Sequence, residues 1–229
     1  MRKAEKCLQD LAIFSRLDEK NIKLICQRAN ERQYNTGEIV FFEKDEVKKI
    51  YLLASGRVKL SMLSPEGKEK VLTILQEGDI FGEVSVFAED PQPMTAEVVE
   101  DARLLILAWD ELEEIIGRDP SIAIKIIDAL SRKTRLLTTQ IRELVFQDAA
   151  GRLASLLLRF LDDFGHSING GEIIDIVLTH QEIANLIGTS RVTVTKLMNE
   201  FMDEGIIKKY RRKIVVKDRA RLEKKREEN

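Results

Sequence analysis

The residues best equipped for specific chemistry lie in the last quarter of this 229-residue chain. Thr179-His180-Gln181-Glu182 fits a capping box, with the Thr hydroxyl bonding the Glu182 amide and the Glu182 carboxylate reaching back. A helix starting at His180 has small Ala184 where a second helix could cross it and Gly188 where the chain could turn. Ser190 then caps a second helix expected over 191–203. Val194, Leu197, Met198 and Phe201 form its apolar side, and Val192, Lys196 and Asn199 fall opposite, with Thr193 and Thr195 near them and Arg191 at the start. Such a helix presents its outward, N-terminal residues to a DNA major groove. Arg191 can pair with guanine, Val192 can meet a thymine methyl, and Lys196 can reach guanine or phosphate. His180 and Gln181, at an amide-rich helix start, are placed for phosphate. After Gly205, two short apolar strands flank the basic tip Lys208-Lys209-Tyr210-Arg211-Arg212-Lys213. This reads as a wing whose Lys209, Arg211, Arg212 and Lys213 lie near phosphates.

Positioning these groups requires other elements. Residues 8–30 read as short helices, with Asp18 as an N-cap. Strand-like runs follow at 38–42, 49–53, 57–63, 70–75, 96–99 and 104–107, with turn signals at Ser55-Gly56 and Pro65-Glu66-Gly67-Lys68. Many short antiparallel strands joined by glycine turns describe a compact roll or barrel. Asp119-Pro120 opens a long helix. Along it Ala123, Ile127, Leu130, Thr134, Leu137, Ile141 and Leu144 recur at alternating steps of 4 and 3, the seam of a two-chain coiled coil. Helical segments over 148–164 and a loop over 165–171 lead into the helix pair.

Composition sets limits. With 44% hydrophobic and 33% charged residues the chain is an ordinary folded protein, and no apolar run suits a membrane helix or signal peptide, so a cytoplasmic protein without a membrane partner is expected. Cys7 and Cys26 are too few and too far apart for a C-x-x-C or zinc site and read as buried thiols. With only His166 and His180, hydrolytic triads and metal centres lack raw material, and no enzyme is expected. The net charge of −2 is a cancellation: residues 1–118 carry 17 Lys and Arg against 23 Asp and Glu, whereas 119–229 carry 20 against 16.

A roll, a seam helix and a winged helix-turn-helix in this order resemble the CRP/FNR superfamily of transcription regulators. The likeness covers nearly the whole chain. Its specific pieces are Phe81-Gly82-Glu83, Phe146-Gln147-Asp148-Ala149-Ala150-Gly151-Arg152 and Gly188-Thr189-Ser190-Arg191-Val192-Thr193-Val194-Thr195. The resemblance implies an α+β protein: an N-terminal antiparallel, jelly-roll-like β-roll that senses an effector (1–118), a dimerisation helix (119–147), a winged helix-turn-helix (148–217) and a charged tail (218–229). It implies a homodimer on a palindromic duplex, with RNA polymerase as a partner if the regulator activates. The effector would touch Gly82, Glu83, Val84 and Ser85 in the roll and Thr134, Leu137 and Thr138 on the seam helix.

Several departures narrow this. Members that bind cyclic AMP carry an arginine shortly after Gly-Glu, whereas Asp90-Pro91-Gln92-Pro93-Met94-Thr95 holds no positive charge. The Thr-Ser pair that reads adenine aligns with Leu137-Thr138, so half of it is lost. No His or Cys occurs between residues 27 and 165 to ligate haem, and two cysteines cannot hold an iron–sulfur cluster. No cofactor is evident, and the expected effector is an unidentified small molecule. Val192 stands where many members have a glutamate, and Arg191-Val192-Thr193-Val194-Thr195 looks like the nitrogen-control branch, which reads GTA half-sites. Two alternatives stay open: a regulator whose roll is filled by its own side chains, and a ligand-sensing interaction module that does not bind DNA.

Overall fold

The structure, a computed structural model, describes residue 25, residues 27–88 and residues 90–227. The helices expected over 8–24 and both cysteines lie outside these. The described chain divides into two compact units, residues 1–135 and 136–229.

The first unit is an antiparallel roll of β1 (Asn30–Tyr34), β2 (Ile39–Phe41), β3 (Lys49–Leu63), β4 (Glu69–Leu75), β5 (Ile80–Phe81) and β6 (Thr95–Ala108). The strand order is β1-β6-β3-β4, with β2 also on β6 and β5 on β3. Two expectations are corrected here. The runs 49–53 and 57–63 are one strand, β3, and 96–99 and 104–107 are one strand, β6. Ser55-Gly56 is accordingly no hairpin turn but an irregularity where the register of β3 against β6 shifts. Only glycine fits there: φ is +86°, and a Cβ would come within 2.2 Å of the Asp101 carbonyl oxygen. Pro65–Lys68 does turn the chain, between β3 and β4. The other correction is β1, a strand that begins at Asn30, the last residue of the stretch expected to be helical.

Side chains alternate along β3 between two cores. Tyr51, Leu53, Val58 and Leu60 point into the roll, with Phe41, Phe81, Leu75 and Val98. Ile50, Leu52 and Ala54 point the other way, against α2 (Trp109–Arg118) and the first half of α3 (Ser121–Phe146). A short helix, α1 (Glu83–Phe87), follows β5 and was not foreseen. Asp119 Oδ1 accepts from the Ser121 amide at 2.9 Å, so α3 opens where the Asp-Pro signal placed it. Its Ile122, Ile126 and Ala129 are buried in the outer core. One residue on, about 100° around the helix, Ile127, Leu137, Ile141 and Leu144 of the expected seam are exposed, Ile141 at 62%.

The second unit contains α4 (Ala149–Phe164), β7 (Gly165–Ile168), β8 (Gly171–Ile174), α5 (His180–Ile187), α6 (Arg191–Asp203), β9 (Ile207–Tyr210), β10 (Lys213–Val216) and α7 (Arg219–Glu227). Its sheet runs β7-β8-β10-β9. The loop expected over 165–171 is therefore wrong: it is the β7–β8 hairpin, and β8 pairs with wing strand β10. The charged tail is helix α7, anchored by fully buried Leu222 and by Arg219, which bonds Asp162 of α4 at 2.7 Å. Among the described residues no helix is long and apolar enough to cross a membrane.

Candidate nucleic-acid interface

The interface begins with two caps. Thr179 Oγ1 accepts from the Glu182 amide at 3.2 Å, and the Thr179 amide donates to Glu182 Oε2 at 2.6 Å, a reciprocal box. Helix α5 ends on Gly188 at φ +66°, the left-handed conformation that closes a helix most cheaply in glycine. Arg152 of α4 braces this turn by donating to the Ile187 carbonyl at 2.8 Å. Ser190 Oγ then accepts from the Thr193 amide at 3.0 Å and starts α6.

Helix α6 buries Val194, Leu197, Met198 and Phe201. Its opposite face is open to solvent. Val192 is 79% exposed, Arg191 and Asn199 are exposed, and Lys196 stands beside Glu200 at 3.6 Å. An exposed valine gains nothing from water, so its place among cations suits an apolar contact with a partner. The remaining candidates are more engaged. The Thr193 hydroxyl lies 2.8 Å from that of Ser190, and Gln181 Nε2 donates to Asn185 at 2.8 Å. Thr195 donates to the Arg191 carbonyl at 2.9 Å and meets His180 Nδ1 at 2.8 Å. Burial, then Lys209, then Arg191 hold the His180 imidazole below its ordinary pKa.

The wing is a two-residue hairpin in which Lys213 pairs with Tyr210 across the tip. Such turns need positive φ at both central positions, usually supplied by Asn-Gly. Here Arg211 at +47° and Arg212 at +67° supply it, which places two exposed guanidinium groups at the apex at a cost in backbone strain. The tip cations differ in availability. Lys213 is ion-paired with Asp175, and Lys209 donates to His180 Nε2 at 3.3 Å.

In the first unit, the Gly-Glu segment is tightly engaged. Glu83, 4% exposed, accepts from Lys133 of α3 at 2.7 Å through Oε1, while its buried Oε2 has no hydrogen-bond partner among the described residues. Ser85 Oγ donates to the Val47 carbonyl at 2.5 Å, and Gln92 Nε2 donates to Ser85 Oγ at 2.7 Å and to the Gly82 carbonyl at 3.1 Å. Gln92 is 2% exposed. Burial raises the carboxyl pKa of nearby Asp79, and Lys133 and Arg132 pull against that rise. Thr134 donates to the Leu130 carbonyl at 3.0 Å, Leu137 and Thr138 are exposed on α3, and Val84 is half-buried.

Sequence reasoning missed three participants. Lys133 was legible, since it continues the 122-126-129 stripe by a step of 4. Gln92 lies in the stretch that family spacing after Gly-Glu singles out, but its bonds to Gly82 and Ser85 appear only in the fold, and the His180–Lys209 contact spans 29 residues that no local spacing links.

The comparisons agree with this architecture. The cyclic nucleotide-binding domain family matches residues 31–119, and the Crp-like helix-turn-helix domain family matches residues 151–225. The chain is 30% identical over 218 residues, 95% of its length and 97% of the relative, to a CRP-like cAMP-activated global transcriptional regulator of Mycobacterium tuberculosis (strain CDC 1551 / Oshkosh). It is 30% identical over 185 residues, 80% of its length and 83% of the relative, to the global nitrogen regulator of Nostoc sp. (strain PCC 7120 / SAG 25.82 / UTEX 2576). Among solved structures, a CooA mutant from Carboxydothermus hydrogenoformans superposes with a TM-score of 0.77 at 30% identity, covering 87% of this chain and 88% of that one. With both family domains in order and 30% identity along nearly its full length, the chain belongs to the CRP/FNR family of DNA-binding transcription regulators.

Proposed function

We propose that this regulator acts as a homodimer on a palindromic operator with GTA-type half-sites. Two copies join along the exposed stripe of α3, and each inserts α6 into a major groove, the two helices about 34 Å apart. The observation that carries the reading is Val192, solvated beside Arg191 at the start of a capped helix. Arg191, Val192, Lys196 and Asn199 face the bases. His180, Gln181, Thr193 and Thr195, with wing residues Lys209, Arg211, Arg212 and Lys213, face the backbone. The cytoplasm is the compartment this function requires, and RNA polymerase is the further partner if the protein activates.

Control comes through the roll. The neutral Gln92 carboxamide lies against Gly82 and Ser85, where a bound cyclic phosphate would need a cation, and this supports an effector other than cyclic AMP. An effector that favours one arrangement of the dimer shifts the population able to bind DNA. The Gln92–Ser85 and Lys133–Glu83 bonds favour a second reading, in which the roll is filled by its own side chains and the regulator needs no effector. Native mass spectrometry separates the two: a retained small molecule supports the first, and a bare dimer active on DNA supports the second. Selection from random duplexes tests the main proposal. Enrichment of a GTA-containing palindrome is expected, and failure to enrich any palindrome, with or without cell extract, rejects it.

A further inference from the structure

Three elements meet at one imidazole. His180 is the first residue of α5, Thr195 projects from α6, and Lys209 comes from wing strand β9. The Thr195 hydroxyl already donates its proton to the Arg191 carbonyl at 2.9 Å, so it accepts from the ring. His180 Nδ1, 2.8 Å away, therefore carries the ring proton. Nε2 is left with a lone pair, and the Lys209 ammonium donates to it at 3.3 Å. The neutral ring thus ties the wing to the reading helix and occupies one of the wing's cations.

We propose that His180 is the positioning residue of the DNA interface. In its neutral form it holds Lys209 back from the duplex, and when protonated it releases Lys209 and offers its own charge to the same phosphate backbone. This rests on the DNA-reading proposal above. Protonation places an N–H on Nε2 facing an ammonium, so the Lys209 contact must open. The charged groups facing the ring are Lys209 from β9 and Arg191 from α6, both cationic. On its own helix the Glu182 carboxylate is held by the Thr179 amide and hydroxyl at 2.6 and 2.7 Å. Free protein therefore resists protonating His180, in keeping with the lowered imidazole pKa. A phosphate reverses the sign of that field. Binding takes up protons, and operator affinity rises as pH falls through the imidazole range, twice over in a dimer.

The test uses the full chain and the palindromic duplex enriched by selection, with fluorescence anisotropy from pH 5.5 to 8 at fixed ionic strength. Wild type is expected to bind at least about tenfold more tightly at pH 5.5 than at pH 8, the equivalent of a one-unit shift in a single coupled group. His180→Gln should flatten the profile, and Lys209→Gln should reduce the gain. Nitrogen NMR of the wild-type imidazoles gives a readout that does not depend on either variant folding. The chain has two histidines, so assignment is direct, and an Nδ1-protonated neutral His180 is expected. A flat wild-type profile with operator binding intact overturns the proposal, as does an Nε2-protonated ring or an unchanged profile in His180→Gln. Absence of operator binding at every pH overturns the DNA reading itself and the proposal with it.

Discussion

Val192, on the proposed operator reading, and Glu83, in the roll, each concentrate an effect in one side chain. A valine at the start of α6 accepts no hydrogen bond, so it favours a thymine methyl over the amino group of cytosine. Val192→Glu should shift half-site preference away from GTA toward cytosine-containing sequences, read out by repeating the selection. An unchanged preference would mean that another residue meets this base. Glu83 presents the opposite situation, a buried carboxylate stabilised by one ammonium. Lys133→Met leaves that charge unpaired and should cost about 3 kcal/mol in urea denaturation, and adding Glu83→Gln should restore much of it. Burial sets the behaviour of Asp79. A carboxyl whose pKa is raised in the folded state loses stability as pH rises through that pKa. Asp79→Asn should therefore raise the melting temperature at pH 7, and the difference should vanish toward pH 3. Of these residues, Val192 was readable as outward-facing because helix periodicity alone places it there. Lys133 was readable as turned to the roll by the same periodicity, but its pairing with Glu83 and the burial of Asp79 needed the roll closed around them.

At the level of elements, the capped helices from residue 119 on were legible, whereas the short helices α1 and α2 and the strand boundaries were not. Helix ends carry local chemistry: Asp119, Thr179, Ser190 and Gly188 mark starts and stops within a few residues of the groups they satisfy. A β3 of 15 residues carries no such mark, because its kink at Ser55-Gly56 looks like a hairpin turn until β6 is laid beside it. The same holds for β8, whose second partner β10 lies some 40 residues downstream. Gly56→Ala tests the difference between a kink and a turn. It forces a Cβ onto the Asp101 carbonyl at positive φ and should destabilise by more than about 2 kcal/mol. Gly67→Ala, at φ +77° with open space around it, should cost only about 1 kcal/mol. Chemical denaturation of the two variants side by side measures the gap. Equal costs would show that β3 is not continuous.

The whole molecule separates its charges. Between residues 190 and 217 there are eight Lys and Arg against three Asp and Glu, so the local charge of α6 and the wing opposes the chain's net sign. A whole-chain sum would have excluded nucleic acid, and only the placement of α6 and the wing reverses that conclusion. Dimerisation is testable at the same scale. Leu137→Glu with Ile141→Glu puts four carboxylates into the seam of a pair and should yield monomers by sedimentation. Operator affinity should then fall by about a hundredfold or more, since each half-site must be bound alone. The two stripes of α3 differ by a single residue: 122, 126, 129 and 133 turn to the roll, while 127, 134, 137 and 141 are exposed and Leu130 still packs partly on the outer core. The helix accordingly has a reading frame. Deleting one residue near Arg135 would shorten it by only about 1.5 Å, yet everything downstream would rotate by about 100°, and the seam would break into two halves facing different directions. On the proposed dimer, insertions and deletions among relatives should therefore fall in the loops and spare this segment.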